Sequence, residues 1–99
     1  MAAYIIALVD VTDPERYAEY VKATPTVIAR FDGRFIARAG RTATLEGPAE
    51  TRRVVLIEFP SFERAEAFYR SEEYERAKKL RSGAATATLV LVEGCAPQA

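Results

Sequence analysis

Two short segments of this sequence, residues 54–59 and 89–92, are apolar at almost every position. Successive side chains of a β-strand point to opposite faces of the sheet, so strands of this kind need cover on both faces. The helical patterns elsewhere in these 99 residues are too few to cover two faces. The sequence therefore predicts that a second molecule covers part of the sheet.

The first half of the chain predicts a strand, a helix and another strand. An apolar run at residues 4–9 indicates the first strand, and Thr12 precedes Glu15 at the spacing of a capping box, with Pro14 in the first turn. An apolar stripe then predicts a helix that ends near residues 32–33. Pro25 should kink or break this helix near residue 24. A strand over residues 34–39 follows, and Gly40 predicts a bulge before the strand resumes at 42–45.

The second half predicts a strand over residues 51–59, two helical segments and a last strand over 86–93. Ser61 and Ser71 are favourable N-caps for the two segments, and a serine and glycine at 82–83 end the second one. The order β-α-β-β-α-β predicts an α+β, ferredoxin-like fold, in which a four-stranded antiparallel sheet carries both helical regions on one face. We expect one domain over residues 1–94 and a frayed tail over 95–99.

In this fold one face of the sheet is left bare. Four strands of about five residues each give a projected face on the order of 300 Å², which is as large as the largest apolar patch on a typical monomer. A symmetric partner covers such a face economically. The expected partner is a second copy of this chain, forming a homodimer in which the two sheets pack face to face.

Many residues along the chain also form a family signature. They are residues 53–61, Ala65, Phe68, Tyr69, Ser71, Glu73, Tyr74, Ala77, Arg81, Ala84, Ala85 and Val92 to Gly94, with Tyr17, Tyr20, Gly33 to Phe35, Arg38, Gly40 and Leu45 to Gly47 upstream. This pattern resembles the domain-of-unknown-function family thirteen-thirty, within the dimeric α+β barrel superfamily. The resemblance implies a dimer. Because that superfamily includes cofactor-free monooxygenases, muconolactone isomerases and haem-dependent peroxidases, it does not select a chemistry.

Composition removes several classes of function. Basic and acidic residues balance at 14 each, so we expect neither nucleic acid nor a membrane surface as a partner. The chain has no histidine and one cysteine, Cys95, so we expect no metal site and no disulfide. Glycine-rich phosphate motifs are missing, and the expectation is that no cofactor is used. The N-terminal segment has neither a basic region nor the length of a membrane span, which favours the cytoplasm.

Candidate site residues are of three kinds. Arg38 and Arg53 lie in a basic segment and could hold a carboxylate or an enolate, although edge-strand arginines also serve as solvated charges. Tyr17, Tyr20, Tyr69 and Tyr74 face the sheet at helical spacing and could orient or protonate an oxygen atom of a ligand, although core packing is the more common reason for such spacing. Of these four, Tyr17 and Tyr20 are the predicted ligand-binding residues.

The third kind is an acid with a basic partner. Glu58 shares an otherwise apolar side of its strand, where a carboxylate is a candidate general base. The structural alternative is pairing with an arginine, for which Arg81 is the candidate, or contact with solvent at the strand end.

Two functions therefore remain open. The first is a cofactor-independent enzyme, isomerase-like or monooxygenase-like, or a binder of a small anionic organic molecule; it predicts a cavity of roughly 300 Å³ or more with convergent polar groups. The second is a noncatalytic dimeric structural or regulatory module. It predicts a filled interior and arginines paired with local carboxylates.

Overall fold

The computed structural model describes residues 1–96 and confirms the ferredoxin-like architecture. The elements are β1 (Ala3–Val11), α1 (Pro14–Arg30), β2 (Arg34–Arg38), β3 (Arg53–Phe59), α2 (Phe62–Tyr69), α3 (Glu72–Lys79) and β4 (Ala85–Glu93). The second helical region is thus two helices joined at residues 70–71. Of the tail predicted over 95–99, residues 97–99 lie outside the described part of the chain.

The four strands form an antiparallel sheet in the order β2-β3-β1-β4. In the register, Ile5 is paired with Ile57 and Leu91, and these odd-numbered residues of β1, β3 and β4 point towards the helices. Even-numbered residues of the same strands point the other way because side chains alternate along a strand. The two apolar segments therefore supply both a core face and an outer face.

The core lies between the sheet and the three helices. Its largest fully buried side chains are Phe59, Phe68 and Tyr74. The ring centroid of Phe68 lies 5.1 Å from that of Phe59 and 4.7 Å from that of Tyr74. Gly33, at the start of the return to β2, allows this packing, since a Cβ there would lie 2.5 Å from Cε1 of Phe59. The aromatic cluster thus holds α2 and α3 against the sheet.

Helix starts follow the capping chemistry of the sequence, with one correction. The hydroxyls of Ser61 and Ser71 accept hydrogen bonds from the amides of Arg64 and Tyr74, as the sequence predicts. At α1 the cap is Asp13, one residue later than the predicted Thr12. The hydroxyl of Thr12 instead donates to the carbonyl of Ala84, 3.1 Å away, and ties the start of α1 to the start of β4.

Two predictions in the β2 region are wrong. No strand resumes at 42–45 within the described residues; after Arg38 the chain runs as an exposed irregular segment to residue 52. The register shift in the β2 and β3 pairing lies between Phe35 and Ala37 rather than at Gly40. Residues 40–49 are all exposed and bury little apolar area, so no ladder is stabilised there.

Of the kink or break predicted at Pro25, the break is wrong, because α1 continues from Pro14 to Arg30. A proline has no amide hydrogen, so the carbonyl of Val21 loses its usual helical donor. The guanidinium of Arg38, on the neighbouring strand, donates to that carbonyl at 2.8 Å. Tertiary structure thus supplies the missing hydrogen bond.

The sheet surface away from the helices is called the outer face below. Its apolar side chains are partly or well exposed, with Val90 at 52% and Val92 at 45%. The outer face consists of Tyr4, Ile6, Leu8, Val54, Leu56, Val90 and Val92. In the folded chain it is the second apolar face of the sheet, which the strand patterns of the sequence predict.

Candidate functional site

A small cavity lies between the sheet and helices α1 and α3. Its volume is about 40 Å³, enough for a few waters or a small polar group. This volume is well below the roughly 300 Å³ expected from the sequence for a ligand cavity. Five residues predicted as ligand-binding line it together. They are Tyr17, Tyr20, Arg38, Arg53 and Arg81. We call this space the arginine–tyrosine pocket.

Strand register explains how Arg53 reaches this pocket. Arg53 is paired with the buried Val9 of β1 and has the same parity as Val55 and Ile57, so its side chain lies on the helix side of the sheet. Its guanidinium carbon lies 5.5 Å from the ring centroid of Tyr17, the first apolar position of the α1 stripe. An arginine is thereby placed over an aromatic ring at the edge of the core.

Helices α1 and α3 bring two tyrosines together beside Arg81. The hydroxyls of Tyr20 and Tyr74 are 2.8 Å apart and share a hydrogen bond. Arg81 follows α3 after the last turn, and its guanidinium carbon lies 5.3 Å from the ring centroid of Tyr20. Two tyrosines that are 54 positions apart in the chain thus form a polar cluster with Arg81, surrounded by apolar side chains.

Burial keeps the phenols of the pocket neutral. Burial, with the Tyr74 hydroxyl beside it, raises the pKa of Tyr20 well above its ordinary value of 10.0. Burial also raises the pKa of Tyr17, although the charges of Arg53 and Arg81 oppose part of this rise. Both hydroxyls therefore act as neutral donors and acceptors near neutral pH rather than as bases.

The two arginines carry the most informative feature of the pocket. Among residues 1–96, the buried Nε atoms of Arg53 and Arg81 have no hydrogen-bond partner. Neither side chain forms an ion pair with a carboxylate of the described chain. Buried donors are satisfied in the large majority of cases, because an unmade hydrogen bond costs about 1–3 kcal/mol. Both arginines also line the pocket, so two buried donors without a partner lie close to one cavity.

Arg38 also lines the pocket but is already occupied. It donates to the Val21 carbonyl that Pro25 leaves free, and its guanidinium carbon lies 4.1 Å from the ring centroid of Phe35. These contacts fix it as a bridge between β2 and α1. Its predicted role in ligand binding stays a prediction, whereas its structural role is clear.

Glu58 does not join the other candidates. It is even-numbered on β3 and therefore lies on the outer-face side of the sheet, opposite the pocket. It is paired across the sheet with Arg34, whose Nε donates to its carboxylate at 2.7 Å. The suggested pairing of Glu58 with Arg81 is wrong. The structural alternative for Glu58, a local arginine partner, is the one observed.

Tyr74, one of the four tyrosines predicted to face the sheet, also lines the pocket, whereas Tyr69 is exposed and lies outside it. Only 1% of Tyr74 is exposed, and its hydroxyl faces Tyr20. The available signal was helical spacing, which places this tyrosine on the inward stripe of its helix. That spacing does not distinguish a core tyrosine from a pocket tyrosine.

Two further features concern the helices and the polar side chains of residues 1–96. No described helix combines the length and apolar character needed to cross a membrane. Within the same residues, no group of three or more histidine, cysteine, aspartate or glutamate side chains is arranged to hold a metal ion.

Solved structures share this fold at low sequence identity. A protein of unknown function from Rhodopseudomonas palustris is 24% identical, with a TM-score of 0.76, over 97% of this chain and 84% of the other. SnoaB, a cofactor-independent oxygenase from Streptomyces nogalater, is 14% identical, with a TM-score of 0.68, over 99% and 95%. A dimeric ferredoxin-like protein of unknown function from Jannaschia sp. CCS1 is 12% identical, with a TM-score of 0.70, over 95% and 100%. At these identities the similarity shows the fold alone.

Comparison with curated proteins returns no match. A family model, in contrast, matches residues 2–95, which is nearly the whole chain. The fold found in the structure agrees with the ferredoxin-like neighbours and with the family signature. The protein belongs to the domain of unknown function family DUF1330.

Proposed function

We propose that the protein binds a small organic anion in the arginine–tyrosine pocket, without a metal or an organic cofactor. The observation that carries the proposal is the pair of buried Nε atoms, on Arg53 and Arg81, that lack an acceptor among residues 1–96. A carboxylate or enolate oxygen accepts charge-assisted hydrogen bonds from such donors. The neutral hydroxyls of Tyr17 and Tyr20 would complete the contacts of the anion.

The alternative of a noncatalytic module predicts arginines paired with local carboxylates. Arg34 and Arg52 follow that pattern, with Nε to oxygen distances of 2.7 and 2.8 Å to Glu58 and Glu50. Arg53 and Arg81 depart from it in the described structure, and both line the arginine–tyrosine pocket. This contrast within one chain supports a ligand site over a purely structural module.

The pocket suits stabilisation of an anion better than removal of a proton. Its ionisable lining consists of arginines and tyrosines, and Glu58, the candidate base, lies across the sheet. If the protein is an enzyme, Arg53 and Arg81 would stabilise negative charge that develops on the ligand, as donors aimed at an oxyanion do. The cofactor-independent oxygenase that shares the fold supports this reading by analogy only.

Nuclear magnetic resonance of the arginine Nε–Hε groups tests the proposal directly. Titration with acetate should shift the Nε–Hε signals of Arg53 and Arg81 in a saturable manner, because these donors gain an acceptor. The Nε–Hε signal of Arg34 is the internal control, since it already donates to Glu58. Unshifted signals of Arg53 and Arg81 at millimolar acetate and millimolar phosphate would contradict anion binding.

We also infer that two copies associate through the outer face. The exposed valines of β4 and the apolar side chains of β1 and β3 form a surface of the kind that a partner covers. Related ferredoxin-like structures described as dimeric support this inference. Sedimentation at micromolar concentration should report a dimer, and Val90→Glu should report a monomer. Lys79→Glu, at an exposed position of α3, is the matched control and should remain a dimer. A monomeric wild-type protein would refute the inference.

A further inference from the structure

A second and larger space lies beside the arginine–tyrosine pocket. It is a groove of about 470 Å³ between α2, α3 and β4, and its size is in the range of small-molecule sites. Its apolar wall includes Ala65, Leu89 and Leu91. Arg81, Ala87 and Leu89 line both the groove and the pocket, so the two spaces meet at Arg81.

The charges of this groove are mainly positive. Glu66 lies 3.7 Å from Arg70, and this pair offsets its own charges. Lys78 and Arg81 remain as cations without a carboxylate partner among the described residues. Lys78 is held in place by Tyr69, to whose hydroxyl it donates at 2.9 Å. The groove thus combines an apolar wall with two cations. One of them, Arg81, also lines the pocket.

We propose that the groove holds the apolar part of the ligand, so that the substrate class is a ring-bearing organic anion such as an aromatic carboxylate or phenolate. Its ring would lie against Leu89 and Leu91, and its negative group would be bound by Arg81, with Lys78 nearby. This inference rests on the proposed function, since it assigns the same anion to Arg81. It adds what the small pocket by itself does not provide, namely room for a carbon skeleton.

A comparison of three probes in the intact protein tests the inference. Acetate carries the charge alone, naphthoate carries the charge and a ring system, and naphthalenemethanol carries the ring without the charge. Burial of one ring face predicts that naphthoate binds at least about tenfold more tightly than acetate. Naphthalenemethanol should bind more weakly than naphthoate because Arg81 gains no anion. Affinities follow from the shift of the Arg81 Nε–Hε signal or from calorimetry.

Two groove variants test whether the higher affinity for naphthoate than for acetate arises in the groove. Leu91→Ala removes part of the apolar wall, and Lys78→Gln removes a partly exposed cation; both should lower the affinity for naphthoate. The affinity for acetate should change by less than about twofold in Leu91→Ala, since the pocket is untouched. Lys78→Gln lies on the helix surface and serves as the second variant if Leu91→Ala fails to fold.

The outcomes separate this inference from the proposed function. If acetate shifts the Arg81 signal but naphthoate binds no more tightly, or if its advantage survives both groove variants, the groove assignment is overturned and the anion pocket stands. Equal binding of naphthalenemethanol and naphthoate overturns the anionic class. If no anion shifts the Arg81 signal, the proposed function and this inference both fail.

Discussion

Replacement of Arg53 by methionine should stabilise the fold while it removes anion binding. Methionine keeps an unbranched stem of similar length but has no donor, so the packing of the stem beside Tyr17 is retained. In the native chain the buried Nε of Arg53 has no acceptor among the described residues. The wild-type protein thus carries an unmade hydrogen bond that the variant lacks.

The expected magnitude follows from two opposing terms. A buried donor without a partner costs about 1–3 kcal/mol. The contact of the guanidinium with the Tyr17 ring, at 5.5 Å, contributes about 0.5–1 kcal/mol in the other direction. The difference predicts that Arg53→Met raises the free energy of unfolding by about 1 kcal/mol, or the Tm by roughly 4–8 °C for a domain of this size.

Urea unfolding in anion-poor buffer, at one fixed protein concentration, measures this difference. Arg30→Met is the matched control, because its side chain is 65% exposed and lies 3.6 Å from Glu73. Its effect should stay within about 0.5 kcal/mol. Addition of a bound carboxylate should then stabilise the wild-type protein but not Arg53→Met. A loss of more than about 1 kcal/mol in Arg53→Met without anion would refute the reasoning, since the guanidinium would then be structural.

Three further predictions concern packing, titration and the proline in α1. Gly33→Ala should lower the free energy of unfolding by about 1–3 kcal/mol, because its Cβ would meet a phenylalanine ring at 2.5 Å; Gly40→Ala, with no atom within 4 Å, should be close to neutral in the same urea assay. The raised pKa of Tyr20 contributes stability that is complete below pH 10.0 and is lost as the pH rises above it, since the unfolded chain loses the proton first. Urea midpoints should therefore fall more steeply above that pH in the wild-type protein than in Tyr20→Phe, and equal slopes would contradict the role of burial. Arg38→Met should cost about 1 kcal/mol, and less in a Pro25→Ala background, where the restored amide can satisfy the same carbonyl; an unchanged cost in a double-mutant cycle would show that this carbonyl does not depend on Arg38.

The position of Glu58 shows how strand parity could have corrected the predicted site. Residues 53 and 58 differ by an odd number of positions, so in one regular strand their side chains point to opposite faces. The sequence thus contained the information that Arg53 and Glu58 do not share a pocket. Which of the two faced the helices was decided by the register of β1 and β3, where Arg53 meets the buried Val9.

Local chemistry predicted most of the fold because its signals act within a few residues. Ser61 and Ser71 satisfy amides three residues ahead, and the apolar segments of β3 and β4 require cover on both faces wherever they are placed. The element order followed from these signals. The homodimer inferred from the outer face rests on the same pattern.

Tertiary structure decided the features that depend on distant partners. The helix α1 continues through Pro25, and Arg38, from a strand, donates to the Val21 carbonyl that the proline leaves without an amide donor. The hydroxyls of Tyr20 and Tyr74 meet only when α1 and α3 pack on one side of the sheet. Whether a buried arginine has an acceptor depends on every side chain that reaches it. The sequence by itself determined the elements and their apolar faces, whereas the tertiary structure decided which arginines lack a partner, since hydrogen bonds between distant residues leave no local pattern.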